Sequence, residues 1–458
     1  MSALDRVLDQ AIKLVEPTAE EARALDKTAQ RIFQRVQGEA RKVSPQPEVV
    51  FGGSFARGTW LKGEADIDLF LKFPPDETRE LLKQQGLNIG RRALKNYRPR
   101  LRYAEHPYVE GFVNSTRVNV VACFDVERGK WKSAADRSPY HTDFIKERFD
   151  DSLRREARLV KRFMRGLGIY GAEIAVQGFS GYVCEVLTLK FGSFLNMVSS
   201  VAKFTRNQAI SIEKAPDELV KIFRTPLIIL DPIDIRRNLA AAISGENVAK
   251  FIASSRNFLK DPALNFFLGP KPSKVIHSYG ISDHLLAVVF KHSRRSEDIL
   301  WGQLRRTLSF LRRQLELGGF VIFRSIPASD NLSESALLFL VNSYSISRRI
   351  IKVGPDVYRA QDLSRFVEKN RGTRLMWVGE DARTYALTER KISDSALFVR
   401  TTIRDQRLGL APGLRDDFSR GFTVLRGDKA RGVLARKKWL WEAVMRLVST
   451  DKLAFGAN

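Results

Sequence analysis

The sequence predicts a multidomain α+β protein, and three observations carry that prediction. Its 458 residues exceed what one hydrophobic core ordinarily organises, and 44% apolar residues are enough to fill two or three cores. Short runs of strand character at 49–51, 67–73 and 118–124 fall among helical patterns in the first third of the chain. A long helical stretch then gives way, near Gly269-Pro270-Lys271-Pro272-Ser273, to alternating strands and helices. The domain limits that follow are 1–153 for a sheet-bearing domain, 154–268 for a helical central domain and 269–458 for an α+β remainder.

The first helix, over 2–16, is stopped by Pro17. A second starts at Thr18, where Thr18 and Glu21 have capping-box spacing and Leu25, Ile32, Phe33 and Val36 share one face. These helices should cover a sheet built from Val49 to Phe51, Ile67 to Phe73 and Val118 to Phe124, the run from Arg117 to Cys123 reading as a central strand. Gly52-Gly53-Ser54 is a turn whose backbone can approach a ligand closely, and 86–95 reads as a helix with its approach. Helical periodicity dominates 151–166, 178–198 and 238–251, interrupted by Asp231-Pro232-Ile233-Asp234. Beyond 273 come a strand over 284–290 and a helix capped by Ser296 and ended at Gly318-Gly319. Its stripe of Leu300, Leu304, Leu308, Leu311 and Leu315 reads as core packing. Strands over 320–323 and 337–341 then fit a small sandwich of ferredoxin-like layout, and 358–458 mixes helices with short strands.

Lys and Arg total 77 against 52 Asp and Glu, a net charge of +25. Spread along the chain rather than gathered in a tail, this field points to a polyanionic partner, most simply nucleic acid. Cys123 and Cys184 both lie in apolar runs and read as buried thiols in a reducing cytoplasm. There is no Cys/His cluster with metal-ligand spacing. No apolar run reaches the roughly 18 residues of a membrane span, so no membrane partner is expected.

The chemistry concentrates in 51–74. Side chains two apart on a strand point the same way, about 6.6 Å apart at Cα, so Asp66 and Asp68 can aim at one spot. Two such carboxylates suit Mg²⁺, which keeps water and substrate phosphates in its remaining positions. Ser54 and Arg57, just upstream on the Gly-Gly turn, can offer backbone N–H groups and a guanidinium to a triphosphate. An Asp-x-Asp pair by itself is commonly only solvated. One short segment supplying both an anion cradle and metal ligands is more specific.

The run from Gly53 to Trp60 (GSFARGTW), followed by Asp66-Ile67-Asp68, resembles the nucleotidyltransferase superfamily of DNA polymerase β. Further segments narrow the resemblance: 102–108 (RYAEHPY), 132–141 (KSAADRSPYH), 168–173 (GIYGAE), 178–182 (GFSGY), and Asp231 to Asp234 with Arg237-Asn238. Taken in order they look like the archaeal CCA-adding enzymes. The resemblance implies a polymerase β-like head, a helical neck, and an α+β body and tail. It implies template-independent addition of C, C and A to the 3′ end of tRNA from CTP and ATP, with Mg²⁺ as cofactor. By residue match, Gly53, Ser54 and Arg57 would lie at the triphosphate and Asp66 and Asp68 at the metals. His141, Lys161 and Tyr170 would contact the incoming nucleotide, and His106 and Arg237 fall in neighbouring matched segments. Lys161, on a helix with Arg158, Arg162 and Arg165, could place a point charge on the β,γ-phosphates. A homodimer stays open beside a monomer.

One position departs from the resemblance: the family's third catalytic and metal-ligating carboxylate corresponds here to Asn119. An amide offers one neutral oxygen and cannot act as a base, so both jobs should be weakened. Three explanations compete. Asn119 is an isosteric change made to trap substrate without turnover; or it is native, with transfer attenuated or lost; or Glu64 compensates, forming Glu-x-Asp-x-Asp with Asp66 and Asp68 on one strand face. Two other functions therefore stand beside CCA addition: a non-catalytic tRNA-binding relative, and a poly(A) or oligoadenylate-type transferase.

Overall fold

The computed structural model describes residues 2–103, 107–214, 217–269, 281–405 and 407–456. The chain forms two compact units, Met1–Lys271 with Thr450–Asn458, and Pro272–Ser449.

The first unit opens with α1 (Ala3–Val15), capped by Ser2, and α2 (Ala19–Ala40), capped by Thr18. Then come β1 (Glu48–Gly52), the one-turn α3 (Gly53–Arg57), β2 (Asp66–Phe73), α4 (Arg79–Ala93), β3 (Arg100–Tyr103), β4 (Pro107–Val113) and β5 (Thr116–Phe124). The five strands make one sheet in the order β1-β2-β5-β4-β3, in which only β2 and β5 run parallel. Strand alternation divides the faces. Ile67, Leu69, Leu71, Val118 and Val120 pack with Leu25, Ile32 and Val36 of α2 and Leu82 and Ile89 of α4 into a dry core. Asp66, Asp68, Arg117 and Asn119 lie on the opposite face. α4 begins earlier than the pattern over 86–95 predicts because Thr78 caps it by accepting from the Leu81 N–H.

The helical part follows: α5 (Arg137–Arg148), α6 (Asp151–Gly166), α7 (Gly181–Phe191) and α8 (Phe194–Val201). Where the sequence predicts one helix over 178–198, two occur, because Gly192 takes a left-handed C-cap (φ 75°) and Ser193 caps the next. β6 (Gln208–Ile210), α9 (Asp217–Ile222), β7 (Leu227–Asp231) and β8 (Asp234–Asn238) precede α10 (Gly245–Lys260) and α11 (Asn265–Leu268). Thus 238–244 ends a strand and turns, and the helix predicted from 238 starts at Gly245. Phe163, Phe194, Phe258, Phe266 and Phe267 form an aromatic cluster at the centre of this part.

The second unit contains β9 (Leu285–Lys291), α12 (Glu297–Leu317), β10 (Ile322–Ser329), β11 (Glu334–Val341), β12 (Arg349–Asp356), α13 (Ala360–Asn370), β13 (Leu375–Val378) and β14 (Arg383–Glu389). It continues with α14 (Ser395–Asp405), α15 (Pro412–Ser419), β15 (Phe422–Arg426), α16 (Gly427–Leu434) and α17 (Lys438–Val448). The sheet order β10-β11-β9-β15, with α12 and α14 as crossovers, is a ferredoxin-like βαββαβ arrangement. A second antiparallel sheet, β12-β14-β13, is inserted between β11 and α14. Finally α18 (Lys452–Phe455) returns to the first unit, where Leu453 joins the core around α6 and α10.

Candidate active site

The site begins with the turn after β1. Gly53 has φ 67°, a conformation L side chains rarely adopt, and a Cβ there would stand 1.8 Å from Asp68 Oδ2. Glycine is therefore required twice, once for the backbone and once for the carboxylate behind it. α3 opens at this turn with no side-chain cap on its first N–H groups, and half-buried Ser54 is its second residue. The turn closes at Gly58, whose N–H reaches the Phe55 and Ser54 carbonyls.

The parallel pairing of β2 with β5 sets Asp66 beside Arg117 and Asp68 beside Asn119. Asn119 Nδ2 donates to Asp68 Oδ1 at 2.8 Å, and Arg117 pairs with Asp66. Burial raises the Asp68 carboxyl above its ordinary range and Asp66 adds to the rise, while the Asn119 hydrogen bond and Arg57 and Arg117 oppose it. Asn119 is 9% exposed, and its Oδ1 is buried without a hydrogen-bond partner. An under-neutralised carboxylate beside an orphaned amide oxygen suits a divalent cation with hard oxygen donors, so the residues present fit Mg²⁺. Among the described residues no three His, Cys, Asp or Glu side chains stand converged as ligands.

Glu64 does not compensate at that corner. β2 begins only at Asp66, so Glu64 lies in the preceding turn, and its carboxylate is held by Arg162 and Arg165 of α6. The predicted Glu-x-Asp-x-Asp strand face does not form.

Lys161 and Arg57 meet on a residue that sequence reasoning passed over. Lys161 is 1% exposed; its ammonium donates to Glu185 Oε1 at 2.8 Å, to Thr59 Oγ1 at 2.8 Å and to the Thr59 carbonyl at 3.0 Å. Arg57 Nε stands 2.8 Å from Glu185 Oε2, and the Thr59 hydroxyl also donates to Glu185. Burial alone would raise the Glu185 carboxyl, but Arg57, Lys161 and Thr59 outweigh it and hold it below its ordinary range. Desolvation lowers Lys161 despite the Glu185 contact. Neither a solvated face nor direct reach to a phosphate describes this lysine. Arg57, the last residue of the α3 turn that Gly53 opens, thus shares one carboxylate with Lys161. Two signals in the sequence pointed this way. Lys161 falls on the apolar stripe of Ala157, Val160 and Met164, and Glu185 interrupts an otherwise uncharged, fully buried stretch of α7.

The remaining residues cluster on Asp231, at the end of β7. His141 Nε2 lies 2.9 Å from Asp231 Oδ2 and Arg237 donates to the same oxygen at 3.1 Å. Burial would raise the Asp231 carboxyl, but His141, the Ile233 N–H and Arg237 keep it low, and burial keeps the His141 imidazolium below the ordinary histidine range. An ionised Asp231 only accepts, so Nε2 carries the proton of a neutral imidazole and Nδ1 is left as an acceptor. The His141 ring stacks on Tyr182 at 3.8 Å between centroids, and the Arg57 guanidinium lies 5.9 Å from the Tyr182 ring, so this cluster adjoins the Arg57 group. Tyr170 bridges to Phe179 and has the Arg165 guanidinium 5.9 Å from its ring. His106 lies outside the described residues.

Family profiles match three segments: a nucleotidyltransferase domain over 35–150, a tRNA nucleotidyltransferase second domain over 155–268, and a CCA-adding enzyme C-terminal domain over 282–427. The chain is 35% identical over 396 residues to the CCA-adding enzyme of Saccharolobus islandicus, covering 86% of this chain and 91% of that protein. It is equally similar to that of Saccharolobus solfataricus, and 33% identical over 386 residues to that of Sulfolobus acidocaldarius, covering 84% and 88%. Among solved structures, a cytoplasmic RNA terminal U-transferase superposes with a TM-score of 0.46 at 13% identity, covering 59% of this chain and 99% of that one.

Proposed function

Because the chain belongs to the archaeal CCA-adding enzymes, a family of tRNA nucleotidyltransferases, we propose that it adds C, C and A to the 3′ end of tRNA from CTP and ATP. Asp66 and Asp68 would hold Mg²⁺, with the neutral Asn119 oxygen as a weaker third donor. When bound, the cation supplies positive charge to the triphosphate and favours ionisation of the attacking hydroxyl. The turn at Gly53 and Ser54 admits the phosphates closely. Arg57 and Lys161, locked on Glu185, supply fixed positive charge behind them without reorganising as the reaction proceeds. His141 Nδ1, Arg237 and Tyr170 face the nucleoside. The 3′-oxygen of tRNA attacks the α-phosphorus, the bond to pyrophosphate breaks, and the proton leaves to solvent. Residues 1–153 are the catalytic head, 154–268 the helical neck and 269–458 the body and tail that hold the acceptor arm, whose phosphates suit the basic charge.

The observation that carries this reading is the pairing of β2 with both neighbours: the β2–β5 register sets Asp68 against Asn119, and the β1–β2 register sets it against the glycine turn. Incubating tRNA that ends before CCA with each nucleoside triphosphate singly, and then with CTP and ATP together, should yield two C residues from CTP and A only after them. Runs of A, or nucleotides added in no fixed order, would sink it. The Asn119–Asp68 bond and the Arg117–Asp66 pair favour a second reading, tRNA binding without transfer; it predicts no incorporation even after Asn119→Asp.

A further inference from the structure

Resting on the nucleotidyl-transfer reading, we infer that Glu110 is the carboxylate this chain sets against the cation in place of an acid at position 119. Asn119 pairs with Asp68 on one side and with Glu110 of β4 on the other, so the three side chains form a row across one sheet face. Glu110 is 2% exposed, on the face that carries Asp66 and Asp68. The buried, partnerless Oδ1 of Asn119 belongs to the residue between the two carboxylates, and its Nδ2 is already committed to Asp68. A cation drawn to that oxygen would have Asp68 on one side and, once Glu110 turns from Arg102, a second acid on the other.

Glu110 has the reach and the freedom for this. Adjacent strands lie about 4.8 Å apart, and the additional methylene of glutamate lets its carboxylate lean over a shorter neighbour at that spacing. It is held by Arg102 Nε at 2.9 Å, and because the Arg102 side chain is 35% exposed, its guanidinium keeps contact with solvent when a cation takes the carboxylate. With Glu110 engaged, the row would regain the negative charge that an amide at 119 withholds, and the amide oxygen would add a neutral donor.

The test uses the full chain, with Mn²⁺ binding read by electron paramagnetic resonance of the free ion beside CMP incorporation into tRNA lacking CCA. Glu110→Gln should weaken Mn²⁺ binding at least fivefold and incorporation at least tenfold. In an Asn119→Asp background, where the acid is restored, the same change should cost less than threefold in both. A glutamate that merely anchors Arg102 would leave Mn²⁺ affinity unchanged and cost the same in both backgrounds, which overturns the inference. Should Glu110→Gln fail to fold, Arg102→Gln serves instead: it removes the competing cation and should tighten Mn²⁺ binding, and an unchanged or weaker affinity refutes the assignment. Mn²⁺ binding does not depend on which nucleotide is added, so failure of the CCA reading would appear only in the product sequence.

Discussion

Asn119→Asp alters one side-chain group and reverses the sign of one interaction. The amide now donates to Asp68 at 2.8 Å; the variant places two carboxylates across the same strand pair. At roughly 4 Å and an effective dielectric near 20, two like charges repel by about 4 kcal/mol. Protonation caps that cost: holding one aspartate neutral at pH 7, from an ordinary value near 3.9 and at about 1.4 kcal/mol per pKa unit, also costs about 4 kcal/mol. At about 2–4 °C per kcal/mol for a large domain, the metal-free variant should melt about 8–16 °C below the parent. The deficit should be largest at neutral pH and fade toward pH 4, because the Asp68 carboxyl is already raised and pairing with another acid raises it further. Millimolar Mg²⁺ should restore most of the loss, while the parent, which lacks the added carboxylate, should gain less. The same variant should incorporate CMP at least tenfold faster than the parent. Calorimetric melting with and without EDTA, beside the incorporation assay, measures both. A variant that melts with the parent regardless of Mg²⁺ and transfers no faster would refute position 119 as the missing ligand.

Two further outcomes follow from the buried charges. Glu185→Gln leaves Arg57 and Lys161 without their counter-ion, and losing one partner of a buried ion pair costs about 3–5 kcal/mol, visible as a lower melting temperature. The folded Glu185 carboxyl is held low, so its contribution is present above its unfolded value and is lost as pH falls through the folded one. The gap between parent and variant should therefore close in acid, and a constant gap would contradict the pairing. Asp68→Asn should do the opposite without metal: a carboxyl raised by folding destabilises as pH rises past its ordinary value, so the variant should melt higher than the parent at pH 7 and lose that advantage near pH 4 while losing all transfer. Equal melting temperatures at pH 7 would show that Asp68 is not strained.

The local half of the site was legible in the sequence. The glycine turn and the alternating Asp66 and Asp68 are properties of one short segment, and the family resemblance pointed to Asn119 as their neighbour. What escaped was set by contacts between distant segments. Strand pairing alone brings Arg117 to Asp66 and Glu110 to Asn119, and periodicity within one strand says nothing of its neighbour. Glu64 looked aligned with the aspartates because alternate spacing was carried back past the start of β2 at Asp66, into residues that do not continue the strand. Lys161 was read as a point charge for the phosphates, among the arginines of its helix, although it stands on the apolar stripe of that helix, where only a buried acid such as Glu185 can accompany it. In the second unit the βαββαβ order was readable from element succession, whereas nothing in Lys452-Leu453-Ala454-Phe455 announces which core it joins.

That return has a consequence for biosynthesis. Leu453 lies in the core with Phe251 and Phe258, and Asn257 donates to its carbonyl at 3.1 Å. A ribosome must therefore make the whole intervening unit, Pro272–Ser449, before the first core can close. At roughly 5–20 residues per second, the nascent first unit waits about 10–35 s with an open seam along α10 while the second unit emerges and folds. The part of the molecule synthesised first is thus completed last.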